Sequence, residues 1–196
     1  MDQLKSISRN IILATGVAIF LQFILGNYIV NGASMSSTLN HNQRVFVNNF
    51  LYYQLPSDLR VMLQDMGLET RKNPKRGEVV IFEPPFPYDT TGKDFVKRII
   101  GTPGDQVQNV NGTIFVNGTT FSNEFGNTAE ISEKGAILIP KDYYYLLGDN
   151  RSKSNDSRSF GLIHRSSIKG RVWVIYWPFS NLRIFDYNLI SYIKDT

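Results

Sequence analysis

The chain has 196 residues, 42% hydrophobic and 19% charged, a composition that builds one well-buried core and excludes wholesale disorder. Its formal charge of +4 is scattered among acidic residues, too thin a stripe for a nucleic-acid partner. With no cysteine and only two histidines, His41 and His164, far apart, the inventory excludes thiolate chemistry, disulfides and a Cys- or His-built metal site, and no cofactor is implied.

Lys5 and Arg9 open the chain, which then runs without charge from residue 10 to residue 43. The apolar run over residues 11–30 has about the 20 residues a helix needs to cross a bilayer. A cleaved leader is the competing reading. Its candidate exit, Val30-Asn31-Gly32-Ala33-Ser34, would put Asn31 at −3, which is a poor cleavage site. The expectation is therefore a retained single-pass anchor over 11–30 behind a short cytoplasmic start, residues 1–10, with residues 31–196 outside. Basic flanks stay on the cytoplasmic side.

Beyond the anchor the pattern is mainly β. Strands are predicted over 44–50, 78–82 and 94–100, the last ended by the turn-rich Gly101-Thr102-Pro103-Gly104-Asp105. Two Asn-Gly pairs, Asn111-Gly112 and Asn117-Gly118, favour type I′ turns and predict a meander within a small β insert at about 105–145. Further strands are predicted over 136–139, 143–147 and 170–177. Leu59, Met62, Leu63 and Met66 fall at helical spacing behind Ser57, predicting a short helix with a packing face.

Two residues stand out chemically. Ser34 follows the anchor in a Ser-rich loop, where a serine is ordinarily a turn residue. Lys97 shares a strand face with Phe95 and Ile99. Apolar neighbours desolvate a lysine and lower its pKa from about 10.4 toward neutrality, although a snorkelling edge-strand lysine shows the same pattern.

Four segments together carry more. They are 32–39 (Gly32-Ala33-Ser34-Met35-Ser36-Ser37-Thr38-Leu39), 76–82 (Arg76-Gly77-Glu78-Val79-Val80-Ile81-Phe82), 95–105 around Lys97-Arg98, and Gly148-Asp149-Asn150-Arg151 followed by Ser154, Asp156, Ser157 and Arg158. In this order behind an anchor they resemble the bacterial type I signal peptidases, the Ser–Lys leader peptidase family, in its short Gram-positive-like form. The resemblance covers nearly the whole chain. It implies an antiparallel β-sheet catalytic domain on one N-terminal transmembrane helix, held at the cell membrane with the catalytic domain on the extracytoplasmic face. It also implies removal of signal peptides from secretory preproteins after small residues at −1 and −3.

Residue by residue, the resemblance makes Ser34 the nucleophile, Lys97 the general base and Ser154 the hydroxyl that orients the lysine. Arg98 with Asp149, and Asp156 with Arg158, would be structural ion pairs. Glu78, Val79, Val80, Ile81 and Phe82 would form the substrate-binding strand, expected as a sheet edge that an extended peptide could join. Two positions depart from the family. Gly32 stands where some members carry an oxyanion-hole serine, which leaves the Ser34 backbone N–H as main donor. Ser37 replaces the usual proline and is expected to loosen the loop. Trp177 and Phe179 are candidates for seating the domain on the bilayer, although aromatics in an ordinary β core would look the same. Three other readings use the same inventory: a self-processing Ser–Lys protease, an assembly factor that holds substrates without cutting them, and a Ser-His-Asp site using His164.

Overall fold

The computed structural model describes residues 2–52, 57–66, 73–88, 92–121 and 135–187; the side chains of residues 18–24 and several between 57 and 64 fall outside that description. Residues 122–134, the tip of the expected insert, also lie outside it. Helix α1 covers Asp2–Ile24. Its described apolar side chains, Ile7, Ile11, Ile12, Leu13 and Val17, are exposed. Among the described residues no helix is long and apolar enough to cross a membrane.

The helix stops six residues earlier than the apolar run suggested. Leu25–Ile29 is strand β1, paired antiparallel with β2 (Arg44–Asn48) in the register Leu25↔Asn48 to Ile29↔Arg44. Gly26 and Asn27 are weak helix formers, and turning to strand lets Tyr28 and Val30 pack into the domain core. Gly26 is required there, because a Cβ would lie 2.7 Å from the Tyr28 ring.

The remaining elements of the main sheet are β3 (Val79–Phe82), β4 (Phe95–Gly101), β9 (Tyr143–Leu147), β10 (Ile163–His164), β11 (Ile168–Trp177) and β12 (Arg183–Ile184). Their order is β1-β2-β11-β3-β4-β9-β10, with β12 pairing β11 beside this path. A second sheet, β7-β6-β5-β8, is built from β5 (Gln106–Val110), β6 (Thr113–Val116), β7 (Thr119–Thr120) and β8 (Ile137–Leu138). Both Asn-Gly pairs make its tight turns, with Asn and Gly alike at positive φ.

Strand β3 corrects an expectation. It is an interior strand, paired with β11 on one side and β4 on the other, so it offers no edge to a peptide. Its four residues are all buried, Val79 and Ile81 in one core cluster and Val80 and Phe82 in another. A continuous apolar run is the signature of a strand covered on both faces. A third cluster, including Ile100, Val107, Ile114 and Tyr145, joins the two sheets.

Helix α2 (Ser57–Asp65) forms as predicted, yet Met62 and Met66 are more than half exposed. Helical spacing defines a face, but tertiary neighbours decide whether it is covered, and here it is not packed as expected. Leu59's side chain lies outside the described residues. Trp177, Phe179, Leu182 and Ile184 cluster, exposed, around the β11–β12 hairpin rather than in a core.

Candidate active site

Val30 closes the loop that carries Ser34. Its N–H donates to the Gln43 carbonyl at 2.8 Å, and its own carbonyl accepts from the Asn42 N–H at 2.9 Å. Inside the loop the N–H groups of Thr38 and Leu39 both reach the Met35 carbonyl, at 3.0 and 2.8 Å. Met35 and Leu39 are buried apolar pegs, and Ser34 between peg and strand stays half-buried. The nucleophile candidate is thus held by a turn that is itself nailed into the core.

Two loop residues sit in the left-handed region. Gly32 has φ +98°, and its N–H donates to His41 Nδ1 at 3.2 Å. The space around it is open, so backbone conformation rather than crowding selects glycine and disfavours serine there. Ser37 has φ +90°. Proline cannot reach that value, so Ser37 is not a loosened proline position; it belongs to a turn that proline would forbid. A non-glycine residue there is strained.

Lys97 approaches from β4. Its Nζ lies 2.8 Å from Ser34 Oγ and 3.1 Å from the Val96 carbonyl, and 5.3 Å from the Phe95 ring centre. The side chain is only 4% exposed. Burial lowers its pKa to about 8, against a smaller opposing pull from Asp156 and Asp149. A lysine tuned this way has an appreciable neutral fraction near physiological pH and can accept a proton.

Behind the pair stands a buried ionic scaffold. Arg98 grips Asp149 with two bonds of 2.8 and 2.7 Å, donates to the Gly77 carbonyl at 2.7 Å, and reaches Thr38 Oγ1 at 3.1 Å. Asp156 is fully buried; it caps helix α3 (Ser157–Phe160), accepts from Arg158 Nε at 2.8 Å and from the Gly148 N–H at 3.0 Å. The loop so fixed places the Asn150 N–H 3.0 Å from the Ser34 carbonyl. Close approach needs Gly148, where a Cβ would fall 2.2 Å from Ser154 Oγ and 2.5 Å from the Ser34 carbonyl oxygen. Ser154 is brought beside the site, but among the described residues its buried Oγ has no hydrogen-bond partner, Lys97 included.

An open cleft of about 460 Å³ runs up to Ser34 and Lys97. One wall is residues 28–34, the other 93–97, with Val45 and Ile81 on the floor. The second wall has a free edge among the described residues: β4 pairs β3 from Phe95 to Arg98 but meets β9 only from Arg98 onward. Of the five residues expected on the substrate-binding strand, Ile81 alone reaches the cleft. Glu78 is turned inward, accepting from the Tyr52 hydroxyl, from the Lys75 N–H at 2.8 Å and from Arg171 at 2.5 Å. His164 bonds Ser166 on the surface. Among the described residues no cluster could hold a metal ion.

Sequence reasoning missed several contributors. Tyr28 was hidden inside the supposed anchor. Asn150 stood within a quoted motif but acts through its backbone, and Thr38 and Gly77 act on a guanidinium distant in sequence.

Comparisons with known proteins point to one family. The family model "Signal peptidase, peptidase S26" matches residues 4–177. Signal peptidase IB of Staphylococcus aureus (strain MRSA252) is 34% identical over 200 aligned positions, covering 90% of this chain and 92% of that one. A probable signal peptidase I-2 of Synechocystis is 32% identical, covering 89% of this chain and 72% of its own. A crystal structure of signal peptidase I from Enterococcus faecalis V583 aligns with 51% of this chain and 97% of that one, at 28% identity and a TM-score of 0.41.

Proposed function

The chain belongs to the S26 signal peptidases and is a type I signal peptidase, a serine endopeptidase that removes signal peptides, and from that premise we propose that Ser34 and Lys97 are its catalytic dyad. The observation that carries the proposal is the 2.8 Å contact between Ser34 Oγ and a lysine amine buried enough to lose its proton near neutral pH. Neutral Lys97 takes the hydroxyl proton as Ser34 Oγ attacks the scissile carbonyl, then returns it to the departing amine. A water, deprotonated by the same amine, releases the acyl-enzyme.

The Ser34 N–H is the donor for the oxyanion; among the described residues it has no protein acceptor. Gly32 supplies no hydroxyl, and its N–H is engaged by His41. Ser154, with an unpartnered hydroxyl beside the dyad, is the residue to orient the Lys97 amine through the catalytic cycle.

The cleft between residues 28–34 and the free edge of β4 suits an extended signal peptide, with main-chain hydrogen bonds to the walls and alternate side chains on the floor. A shallow floor favours small residues at −1 and −3. Signal peptidases of this family are membrane-anchored. Helix α1, whose described apolar side chains are exposed, is the anchor, with its basic start cytoplasmic. The exposed Trp177, Phe179, Leu182 and Ile184 rest at the lipid interface.

The test compares wild type, Ser34→Ala and Lys97→Met in detergent on a preprotein carrying Ala at −1 and −3. Cleavage at that junction by wild type alone is expected. Cutting by either variant at the wild-type rate would overturn the dyad.

A further inference from the structure

The cleft does not stop at the dyad. Strand β1 follows directly on α1, so the Tyr28 end of the cleft is the end nearer the anchor along the chain, and Ser34 lies farther from it. A signal peptide is itself held in the bilayer by its apolar stretch and enters from the anchor end. The part of the preprotein that follows the cut therefore leaves past Ser34 and Lys97. Two residues of the loop that begins at Gly148, Lys153 and Asn155, line the cleft there. They flank Ser154, and the same loop bonds the Ser34 carbonyl through the Asn150 N–H at 3.0 Å.

That loop is stiff. The Lys153 N–H donates to the Asn150 carbonyl at 3.1 Å, closing a turn of 3-10 helix over Arg151–Lys153. Arg158 then donates to the Arg151 carbonyl at 2.6 Å and to the Ser154 carbonyl at 3.3 Å. The Lys153 backbone is thus fixed relative to the nucleophile, while its side chain is exposed. The carboxylates of this region are already engaged, Asp149 by Arg98 and Asp156 by Arg158, and at the far end of the cleft Lys169 holds Asp94 at 2.7 Å. Among the described residues Lys153 has no ion pair. The exit of the cleft therefore carries an uncompensated positive charge.

Resting on the peptidase reading above, we propose that Lys153, with the Asn155 amide beside it, reads the chain downstream of the cut: it favours preproteins with aspartate or glutamate among the first two residues after the scissile bond and disfavours lysine or arginine there. An extended chain advances about 3.4 Å per residue, so those two residues stay within roughly 7 Å of the scissile bond, within reach of a long side chain rooted beside Ser34. An ammonium without a partner, on a fixed backbone, attracts a carboxylate with no existing pair to break, and it repels a second cation. The preference is electrostatic, so salt screens it.

The experiment uses the full chain in detergent and peptides with Ala at −1 and −3 that carry Asp, Asn or Lys at +1 or at +2. In wild type at about 0.05 M salt, kcat/KM for Asp is expected to exceed that for Lys by about tenfold in at least one of the two series, shrinking toward about twofold near 0.5 M. Lys153→Gln should lower that Asp-to-Lys ratio by about threefold or more, and Lys153→Glu should invert it. Lys141→Gln removes the same charge from an exposed turn outside the cleft and should leave the ratio within about twofold. A further series with Ala or Leu at −3 should show one preference in all four proteins, which separates a change downstream of the cut from damage to the fold. Equal cleavage of Asp and Lys peptides by wild type, a ratio that Lys153→Gln leaves unmoved, or a Lys141→Gln effect as large as that of Lys153→Gln would overturn the assignment and leave the peptidase reading intact. No cleavage of any peptide by wild type would overturn both.

Discussion

Lys97 and Arg98 are consecutive cations on one strand, 4% and 2% exposed, and they lie in opposite kinds of surroundings. Arg98 points to a carboxylate that it grips twice, with a carbonyl and a hydroxyl taking further N–H groups. Lys97 points to a hydroxyl, a single carbonyl and an aromatic face, with no carboxylate in contact among the described residues. Burial next to a fixed counter-charge keeps a cation charged, whereas burial without one drives it toward neutrality. One strand thus yields a permanent structural charge and a proton acceptor side by side, because successive side chains face opposite ways.

The contrast is most sharply tested by the dyad itself. Ser34→Ala and Lys97→Met should each lower kcat/KM by at least about 10⁴-fold, since members of a catalytic unit fail together. Next in size is the Arg98 side. Asp149→Ala should destabilise the fold by ~3–5 kcal/mol in urea titrations by stranding a buried guanidinium, while Arg98→Met with Asp149→Leu should recover most of that loss. A loss below ~1 kcal/mol for Asp149→Ala would mean the pair is not a buried strut.

Lys97→Met should do the reverse and stabilise the protein at pH 7, by up to ~3 kcal/mol, because it removes a poorly solvated cation. The sign follows from proton binding. Lys97 titrates at about 8 in the fold and at 10.5 as a free side chain, so between those values the unfolded chain holds more protons. Wild-type stability should therefore rise with pH across that window and be flat below it on this account, and the rise should vanish in Lys97→Met. For activity, kcat/KM should climb about tenfold per pH unit below 8 and level off above it. A plateau reaching down to pH 6 would mean that another group is the base. The smallest effect belongs to the loop that presents Ser34: Ser37→Gly, relieving a serine at φ +90°, should add about 1 kcal/mol of stability by thermal melting, whereas Ser37→Pro should unfold the turn.

Much of this was written along the chain. The alternation that puts Lys97 between Phe95 and Ile99, the Asn-Gly turns of the small sheet and the positions of most strands are local patterns, and local patterns survive without knowledge of neighbours. The motifs also named both ends of the Arg98–Asp149 and Asp156–Arg158 pairs. The length of α1 was misjudged, since residues 25–29 are apolar enough for a membrane and become strand only because β2 lies alongside. The role of β3 was misjudged for the same kind of reason: an apolar run does not say whether its edges are free, and β11 and β4 occupy both. Glu78 was placed with the substrate, although Tyr52 and Arg171, distant in sequence, turn it inward. The sequence by itself determined which side chains could do the chemistry and in what strand register they alternate. The tertiary structure alone decided that Ser34 meets Lys97 across 63 residues, that Asp149 reaches Arg98 but not Lys97, and that Tyr28 faces Asp94 across the cleft. Those are long-range pairings, set by which strands become neighbours and how much surface their contact removes from water.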